Sequence, residues 1–182
     1  MSVIPWWAFW VLVGVLFFWM LGAHNRVVSL RTAIVTAWGQ VDAALQTRLQ
    51  ALATLRAAVE PRLVAEQAAL DAVAAAQAQL QQAAEALRAR PADAAGAEAL
   101  AKAEAALAPA LVRLSSLIEQ HADWRDEADV AGPLTTLREL RPRWQFARQM
   151  YNDAVAAYND AIRQFPTRLL TRVFRFTPAG SF

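Results

Sequence analysis

The sequence predicts an all-α protein in which an N-terminal transmembrane helix continues into an up-down, antiparallel four-helix bundle. One observation is that residues 3–23 carry no charged side chain. Another is that apolar residues beyond this segment recur at steps of three and four, which is the period of an α-helix. Pro and Gly occur at a few separated places, which indicates long helices joined by short turns. We therefore assign residues 1–23 to a membrane anchor, residues 24–166 to the bundle and residues 167–182 to a tail.

The composition excludes several kinds of function. The chain has 182 residues, of which 57% are hydrophobic, no cysteine, two histidines and a net charge of +2. Without cysteine there is no disulfide framework or thiol nucleophile, and the six glycines form no phosphate-binding loop. Acidic and basic residues are interspersed, whereas a nucleic-acid surface needs a dense basic stripe. We expect no enzyme activity, cofactor, metal site, nucleic-acid partner or small-molecule substrate.

The charge-free segment has the length of a membrane span. A helix rises about 1.5 Å per residue, and a hydrocarbon core of about 30 Å needs roughly 20 residues. Trp6, Trp7 and Trp10 lie near one end and Trp19 near the other, as side chains do that anchor a helix at both interfaces. The alternative is a cleavable signal peptide, which usually has a basic start and a shorter apolar run. A retained anchor is the preferred interpretation.

The charges that flank this segment predict its orientation. No Lys or Arg precedes the segment, whereas Arg26 and Arg31 follow it. Basic residues accumulate on the cytoplasmic side of membrane proteins. We therefore expect a short N-terminus outside and the bundle in the cytoplasm.

The first helix is predicted to leave the membrane without interruption. An apolar stripe at helical spacing runs from Val27 to Val59, and no Pro occurs before Pro61. The later helices are predicted at residues 62–88, 97–120 and 134–165. We expect turn residues at 90–96, a kink at Pro109, and a possible division of the last helix at Pro142.

An acidic stretch at residues 121–133 separates the last two helices. His121 and Asp123 have the spacing of a weak metal motif, and Asp126, Glu127 and Asp129 suggest a calcium loop. The stretch lacks the central Gly and the distal Glu of an EF-hand. We interpret it as a solvated loop.

A Tyr-Asn pair occurs twice, seven residues apart, in the last helix. Tyr151 and Tyr158 share one helical side, and each is followed by an asparagine, Asn152 or Asn159. Two helical turns separate the repeats, so they face the same direction. We predict that the tyrosines lie in the core and that the amides form hydrogen bonds between helices.

Pairing the first and last helices in antiparallel fashion gives specific contacts. With the membrane-side ends level, Trp38 lies opposite Tyr151, and Asp42 lies opposite Arg148. We predict a core contact for the aromatic pair. For the charged pair we predict an ion pair or a shared polar network at the flank of the bundle.

The tail is basic and rich in apolar residues. It contains no acid, and its candidates for contact with a membrane interface are Arg168, Arg172, Phe174, Arg175 and Phe176. On a helix these residues form a basic amphipathic surface, which is typical of interfacial segments. The equally favoured alternative is a cap that covers the end of the bundle.

Two segments, residues 24–45 and 147–170, resemble the LemA family of bacterial membrane proteins. The second contains the family's doubled Tyr-Asn motif followed by Phe-Pro. The matching residues with a candidate structural role are Asn25, Arg31, Trp38, Asp42, Arg148, Tyr151, Asn152, Tyr158, Asn159 and Pro166. The stretch after Asp42 departs from the family, which has a proline and a polar turn there.

The resemblance implies a helical bundle tethered to the bacterial inner membrane by a single span. Some relatives help to organise magnetosome vesicles, and others are linked to envelope stress and membrane proteases. These relatives define no biochemical activity. Because tryptophan anchors and alanine-rich helices suit lateral assembly, we expect a scaffolding protein, with membrane lipid and further copies or neighbouring membrane proteins as partners. The alternative is an adaptor or regulator of a membrane protease or envelope-stress partner. A ligand sensor is the third class, for which Gln67 and Gln77 are weak candidates.

Overall fold

The computed structural model describes residues 6–165, 167–168 and 176–182, and these ranges are helical or irregular, without strands. A short 3-10 turn, Val64–Glu66, precedes the second long helix. The helices are α1 Trp6–Val59, α2 Gln67–Ala89, α3 Ala94–Glu119, α4 Ala122–Arg125 and α5 Ala128–Arg163. The third helix therefore begins three residues earlier than predicted, and the second begins five residues later.

Helix α1 is continuous over 54 residues, which corresponds to a length of about 80 Å. Its first part is apolar and exposed, from Trp6 at 80% to Leu21 at 42% exposure, and its core-facing part begins with the fully buried Val27. Among the described residues, it is the one helix long and apolar enough to cross a membrane. Residues 3–5 of the predicted span lie outside the described ranges. The predicted continuation of this helix beyond residue 23 is confirmed.

Helices α1 and α5 run antiparallel and form the most extensive helix pair. The ring centroids of Trp19 and Phe165 are 5.5 Å apart. Nineteen residues further along α1, Trp38 meets Tyr151 at 6.0 Å with the rings inclined by 70°, an edge-to-face arrangement. The predicted Trp38–Tyr151 contact is confirmed.

Helices α2 and α3 form a second antiparallel pair joined by a short turn. The carboxylate of Asp93 accepts a hydrogen bond of 2.9 Å from the amide of Gly96, which caps the start of α3. A Cβ atom at Gly96 would lie 3.1 Å from Leu87 Cδ2. The missing side chain therefore lets the two helices approach closely beside the turn.

The two helix pairs share one hydrophobic core. Its buried side chains include Leu45 of α1, Leu80 and Leu87 of α2, Leu100 of α3 and Tyr151 of α5. Many of the remaining core residues are alanines, which allow close packing. A second cluster of buried residues fills the end of the protein farthest from the apolar segment.

A polar pair between α1 and α2 corrects one prediction. Both carboxylate oxygens of Asp42 accept hydrogen bonds of 2.8 Å from the guanidinium of Arg88. Arg148 instead donates to the main-chain oxygen of Phe182. The predicted Asp42–Arg148 pair is therefore wrong. Antiparallel register places residues at one level, but Asp42 points toward α2 at that level.

A second polar contact connects three helices. Arg48 of α1 donates hydrogen bonds of 2.8 and 2.9 Å to the carboxylate of Glu104 in α3. Its guanidinium carbon also lies 5.7 Å from the ring centroid of Trp144 in α5, a cation–π distance. This arginine therefore helps to fix the rotation of α1 relative to its neighbours.

The acidic stretch is more ordered than the predicted loop. It contains α4 and the start of α5, so the prediction of a solvated loop over residues 121–133 is wrong in part. Arg62 donates hydrogen bonds to Glu127 at 2.8 Å and Asp129 at 3.0 Å, and it lies over the ring of Trp124 at 5.5 Å. These acids therefore neutralise an arginine where the chain turns from α1 to α2.

Within the described ranges, three prolines lie inside helices, and two of them were predicted to kink or divide a helix. Pro109 lies inside α3, and Pro133 and Pro142 lie inside α5. A proline leaves the carbonyl four residues earlier without its helical donor. In each case that earlier residue is exposed, so water can satisfy the carbonyl. This explains why α5 begins at Ala128 rather than at the predicted residue 134.

Candidate functional site: the tail clamp

Residues 176–182 are not helical and pack along α5. Ala179 and Phe182 are each 6% exposed, and the ring of Phe176 lies 5.9 Å from that of His24. For these residues the predicted cap is the better description. The basic amphipathic helix was predicted around Arg168, Arg172 and Arg175, and residues 169–175 lie outside the described ranges. Arg168 is described and exposed.

Of the other predicted tail candidates, Arg172, Phe174 and Arg175 lie outside the described residues. The same holds for Pro166, which was predicted to end the last helix. The described part of the tail is held by five side chains of α5, which we call the tail clamp: Arg148, Tyr151, Asn152, Tyr158 and Asn159.

Each asparagine of the clamp binds the main chain of one tail residue at two points. Asn159 donates to the carbonyl of Ala179 at 2.9 Å and accepts from its amide at 2.9 Å. Asn152 donates to the main-chain oxygen of Phe182 at 2.7 Å and accepts from its amide at 3.1 Å. These amides therefore pair with the tail backbone as a neighbouring strand would, and the predicted hydrogen bonds between helices are replaced by bonds to the tail.

The spacing of the repeat matches the spacing of the tail. Seven helical residues advance about 10.5 Å along the axis. The bound residues Ala179 and Phe182 are three apart, and three residues of extended chain cover about 10 Å. A helical tail would cover less than half of that distance. The seven-residue repeat of Asn152 and Asn159 therefore selects an extended backbone.

The two tyrosines hold the same segment through their hydroxyl groups. Tyr158 donates to the carbonyl of Thr177 at 3.0 Å. The hydroxyl of Tyr151 lies 2.7 Å from the carbonyl oxygen of Pro91 and 3.1 Å from that of Gly180, so its one hydrogen is shared between the turn before α3 and the tail. The predicted core position of both tyrosines is confirmed by their burial.

Burial keeps both phenols protonated as donors. It raises the pKa of Tyr151 to about 12, and the negative charge of Asp93 contributes in the same direction. Burial also raises the pKa of Tyr158, although the positive charge of Arg31 acts against the change. Ionisation would remove the donated hydrogen, so both phenols remain donors to the tail at a higher pH than an exposed tyrosine would.

An aromatic pocket receives Phe182. Its ring centroid lies 5.0 Å from that of Tyr151, 6.2 Å from Trp144 and 6.4 Å from Trp38. The guanidinium of Arg148 lies 5.8 Å from the centroid of the same ring and donates a 2.6 Å hydrogen bond to the main-chain oxygen of Phe182. The tail therefore joins α1 and α5 through their aromatic side chains.

Gly180 allows the tail to lie against the start of α3. A Cβ atom at this position would lie 2.6 Å from Ala94 Cα and 2.9 Å from Ala97 Cβ. Both are atoms of a helix that cannot yield as the end of a flexible side chain does. The bound tail was not predicted as an extended segment. Gly180 and the repeated asparagines are the features of the sequence that could have indicated it.

The remaining predicted residues lie toward the apolar end of α1. Trp6, Trp7, Trp10 and Trp19 are exposed on that segment. Asn25 and Arg31 are also exposed, on the first turns beyond it. Arg31 lies near enough to Tyr158 of the tail clamp for its charge to act on that phenol, whereas the four tryptophans belong to the apolar segment.

An open groove of about 1270 Å³ lies between α1 and α5. Small side chains such as Ala33, Thr36 and Ala44 line one wall, and Phe146 and Met150 line the other. Phe146 is 69% exposed. The groove is therefore a second, mostly apolar surface, distinct from the tail clamp.

The other candidate ligand residues take part in local contacts. Gln67 donates to Asp71 at 3.3 Å, and Gln77 donates to the carbonyl of Leu49 at 3.4 Å. The His121 ring stacks on Trp124 at 5.1 Å. In the described part of the chain, no group of three or more His, Cys, Asp or Glu residues has the arrangement to hold a metal ion.

Comparison with protein families gives a match over most of the chain. The sequence profile of the LemA family matches residues 37–182. The matched range contains the whole tail clamp and the bound tail, whereas the apolar segment of α1 precedes it. Comparison with curated proteins gives no match. The family and the exposed apolar helix fit a membrane-anchored protein.

Proposed function

Because the chain belongs to the LemA family, we propose that it is a single-pass membrane scaffold that assembles with further copies or with neighbouring membrane proteins. Family membership suggests association with a membrane. In this proposal the four long helices form an up-down, antiparallel bundle outside the bilayer. The protein has no catalytic step, cofactor, nucleic-acid partner or small-molecule substrate.

The observation that carries the proposal is the continuity of α1. The same helix presents exposed apolar residues such as Leu12 and Leu16 at one end and the fully buried Val41 and Leu45 at the other. Apolar side chains on an unpartnered helix are costly in water but favourable in lipid. A continuous helix therefore suits a protein that holds its folded part at a fixed distance from a bilayer.

The proposed location is the bacterial inner membrane, with the bundle in the cytoplasm. Arg26 and Arg31 follow the apolar segment on the side of the bundle, as expected of a cytoplasmic flank. The contact between Trp19 and Phe165 supports a boundary near this level, because both aromatic side chains are exposed beside each other there.

Membrane anchoring is tested with the full chain expressed in bacteria. We expect it to stay with membranes after a carbonate wash, and we expect Leu12→Arg/Leu16→Arg to be released. Each arginine at the centre of a span opposes insertion by about 2.5–3.5 kcal/mol. The control is Val64→Arg, at an exposed position beyond α1. Release of the unchanged chain by carbonate would contradict anchoring.

Scaffolding is tested by the size of the intact protein in mild detergent. We expect homo-oligomers, or complexes with several membrane proteins, by gel filtration with light scattering. A monomer or dimer that co-purifies with a single membrane protease would instead support the adaptor alternative. A monomer without partners would contradict both assignments.

A further inference from the structure

A small pocket lies where α5 ends and the bound tail begins. Its volume is about 420 Å³, and the lining residues within the described ranges are Ile162, Arg163, Arg168, Phe176 and Pro178. Two of the five carry a positive charge, and the other three provide an apolar wall. None of these described lining residues carries a negative charge.

The contacts around this pocket place it level with the end of the apolar segment. On one side, Phe165 contacts Trp19, whose ring centroid is 5.5 Å away. On the other, Phe176 contacts His24 at 5.9 Å. The charge-free stretch of α1 ends between Trp19 and His24. If α1 spans the bilayer, the pocket therefore lies at the depth of the lipid headgroups.

The chemistry of the pocket suits a phosphate attached to an apolar group. Guanidinium groups bind phosphate oxygens through paired, charge-assisted hydrogen bonds, and Arg163 and Arg168 supply two of them. Ile162, Phe176 and Pro178 offer contact to a glycerol backbone or the first carbons of an acyl chain. A free inorganic phosphate uses the arginines but gains nothing from the apolar wall.

We propose that the pocket formed by Ile162, Arg163, Arg168, Phe176 and Pro178 binds the phosphate headgroup of an anionic phospholipid. The proposal rests on the proposed membrane anchoring, because that anchoring brings lipid headgroups to the pocket. The bound tail is part of the site, since it supplies Phe176 and Pro178. The tail clamp thereby has a second consequence, which is to complete a lipid site.

The test uses the full chain in a non-ionic detergent and three probes: short-chain phosphatidylglycerol, phosphatidylcholine with the same chains, and inorganic phosphate. Binding is measured by isothermal titration calorimetry. The variant is Arg163→Gln/Arg168→Gln. The matched control is Arg138→Gln/Arg143→Gln, which removes the same charge from exposed positions of α5 at least about 30 Å along the helix from Arg163.

We expect phosphatidylglycerol to bind the unchanged chain more tightly than either other probe. The pocket variant should lose about thirtyfold in affinity for it, as two arginines near an anionic surface contribute, and the control should keep its affinity. Equal losses in both variants, or equal binding of phosphatidylcholine, would overturn the proposal. Equally tight binding of inorganic phosphate would overturn the assignment to lipid. Circular dichroism of both variants checks that the helices are retained.

The outcome is separable from the test of anchoring. Binding in detergent does not require α1 to cross a bilayer, whereas carbonate extraction does not require the pocket. Loss of anchoring with retained phosphatidylglycerol binding would contradict the proposed function alone. Anchoring without any selectivity between the two lipids would contradict the pocket alone.

Discussion

Replacing Gly180 with alanine would place a methyl group 2.6 Å from Ala94 Cα, 2.9 Å from Ala97 Cβ and 3.0 Å from the carbonyl oxygen of Ala94. These distances are shorter than contacts between carbon atoms tolerate. Either the tail must lift from the start of α3 or α3 must shift. We expect both movements to weaken the same contacts, because Tyr151 joins the tail to the turn before α3.

The expected loss follows from the two ways of relieving this clash. A repacked core that contains an extra methyl group costs about 1–3 kcal/mol. Complete release of the tail would expose Phe182, whose burial stabilises the fold by about 1.5–3 kcal/mol. We therefore expect Gly180→Ala to lower the free energy of unfolding by about 2 kcal/mol. For a chain of this length the midpoint of thermal unfolding falls by about 4–8 °C.

Thermal unfolding of the full chain in detergent, followed by near-ultraviolet circular dichroism, measures this change. The matched control is Gly39→Ala, because no atom lies within 4 Å of a Cβ built at Gly39. Alanine is the better helix former, so the control should gain about 0.5–1 kcal/mol. If Gly180→Ala unfolds at the same temperature as the unchanged chain or above it, the tail does not lie against α3 as described.

Three further predictions concern the clamp and its neighbours. Asn152→Ala and Asn159→Ala should each lower the free energy of unfolding by about 1–3 kcal/mol, because two main-chain groups lose their partners; chemical denaturation measures this, and the exposed Asn25→Ala should change it by less than about 0.5 kcal/mol. In double-mutant cycles with alanine, Asp42 should couple to Arg88 by up to about 1 kcal/mol, since the pair is partly exposed; coupling to Arg148 instead would contradict the observed pairing. Because the pKa of Tyr151 rises from 10.0 to about 12 on folding, the folded chain keeps a proton that the unfolded chain loses. The contribution of the Tyr151 phenol to the free energy of unfolding is therefore present below pH 10 and is lost as the pH rises toward 12. Ultraviolet absorbance of tyrosinate reports on this directly, because the chain has two tyrosines and both belong to the clamp; ionisation of both at the ordinary pKa would be inconsistent with their burial.

Helical periodicity was sufficient to predict the contacts that depend on the level of residues along two helices. Trp38 and Tyr151 face each other because each belongs to an apolar stripe that must point into the core. The same reasoning was insufficient for Asp42. A carboxylate at the flank of a helix can be reached by long arginine side chains from more than one neighbouring helix, and it is Arg88 of α2 that reaches Asp42.

The path of the tail could not be predicted from helical periodicity, because its residues 176–182 do not form a helix. Its partners are main-chain atoms, and the sequence of the tail does not identify which side chains will bind them. The repeated asparagines indicated a common face but not its occupant. The sequence therefore left a basic helix and a cap equally favoured for the tail, whereas Gly180 and Phe182 pack closely against α3 and the aromatic pocket.

The prolines of α5 led to a prediction of a later start and a division of this helix, although the structure has one continuous helix. Pro142 is exposed and Pro133 is partly exposed, and in both cases the carbonyl that loses its helical hydrogen bond belongs to an exposed residue that water can reach. Packing of Leu140 and Trp144 on the opposite side continues across the second of these prolines. Tertiary burial therefore preserves a helix that local propensity alone would divide.

Because α1 is uninterrupted, it also fixes the rotational orientation of the rest of the protein about the axis of this helix relative to the apolar segment. Successive residues of a helix turn by about 100°, so one alanine inserted after Ala23 would swing everything beyond it through that angle while raising it only about 1.5 Å. In a chain anchored by this helix, the apolar segment and the groove beside Phe146 cannot rotate independently. The lateral contacts that the apolar segment makes in lipid would therefore determine the direction in which the groove faces, and hence which neighbouring protein it can contact.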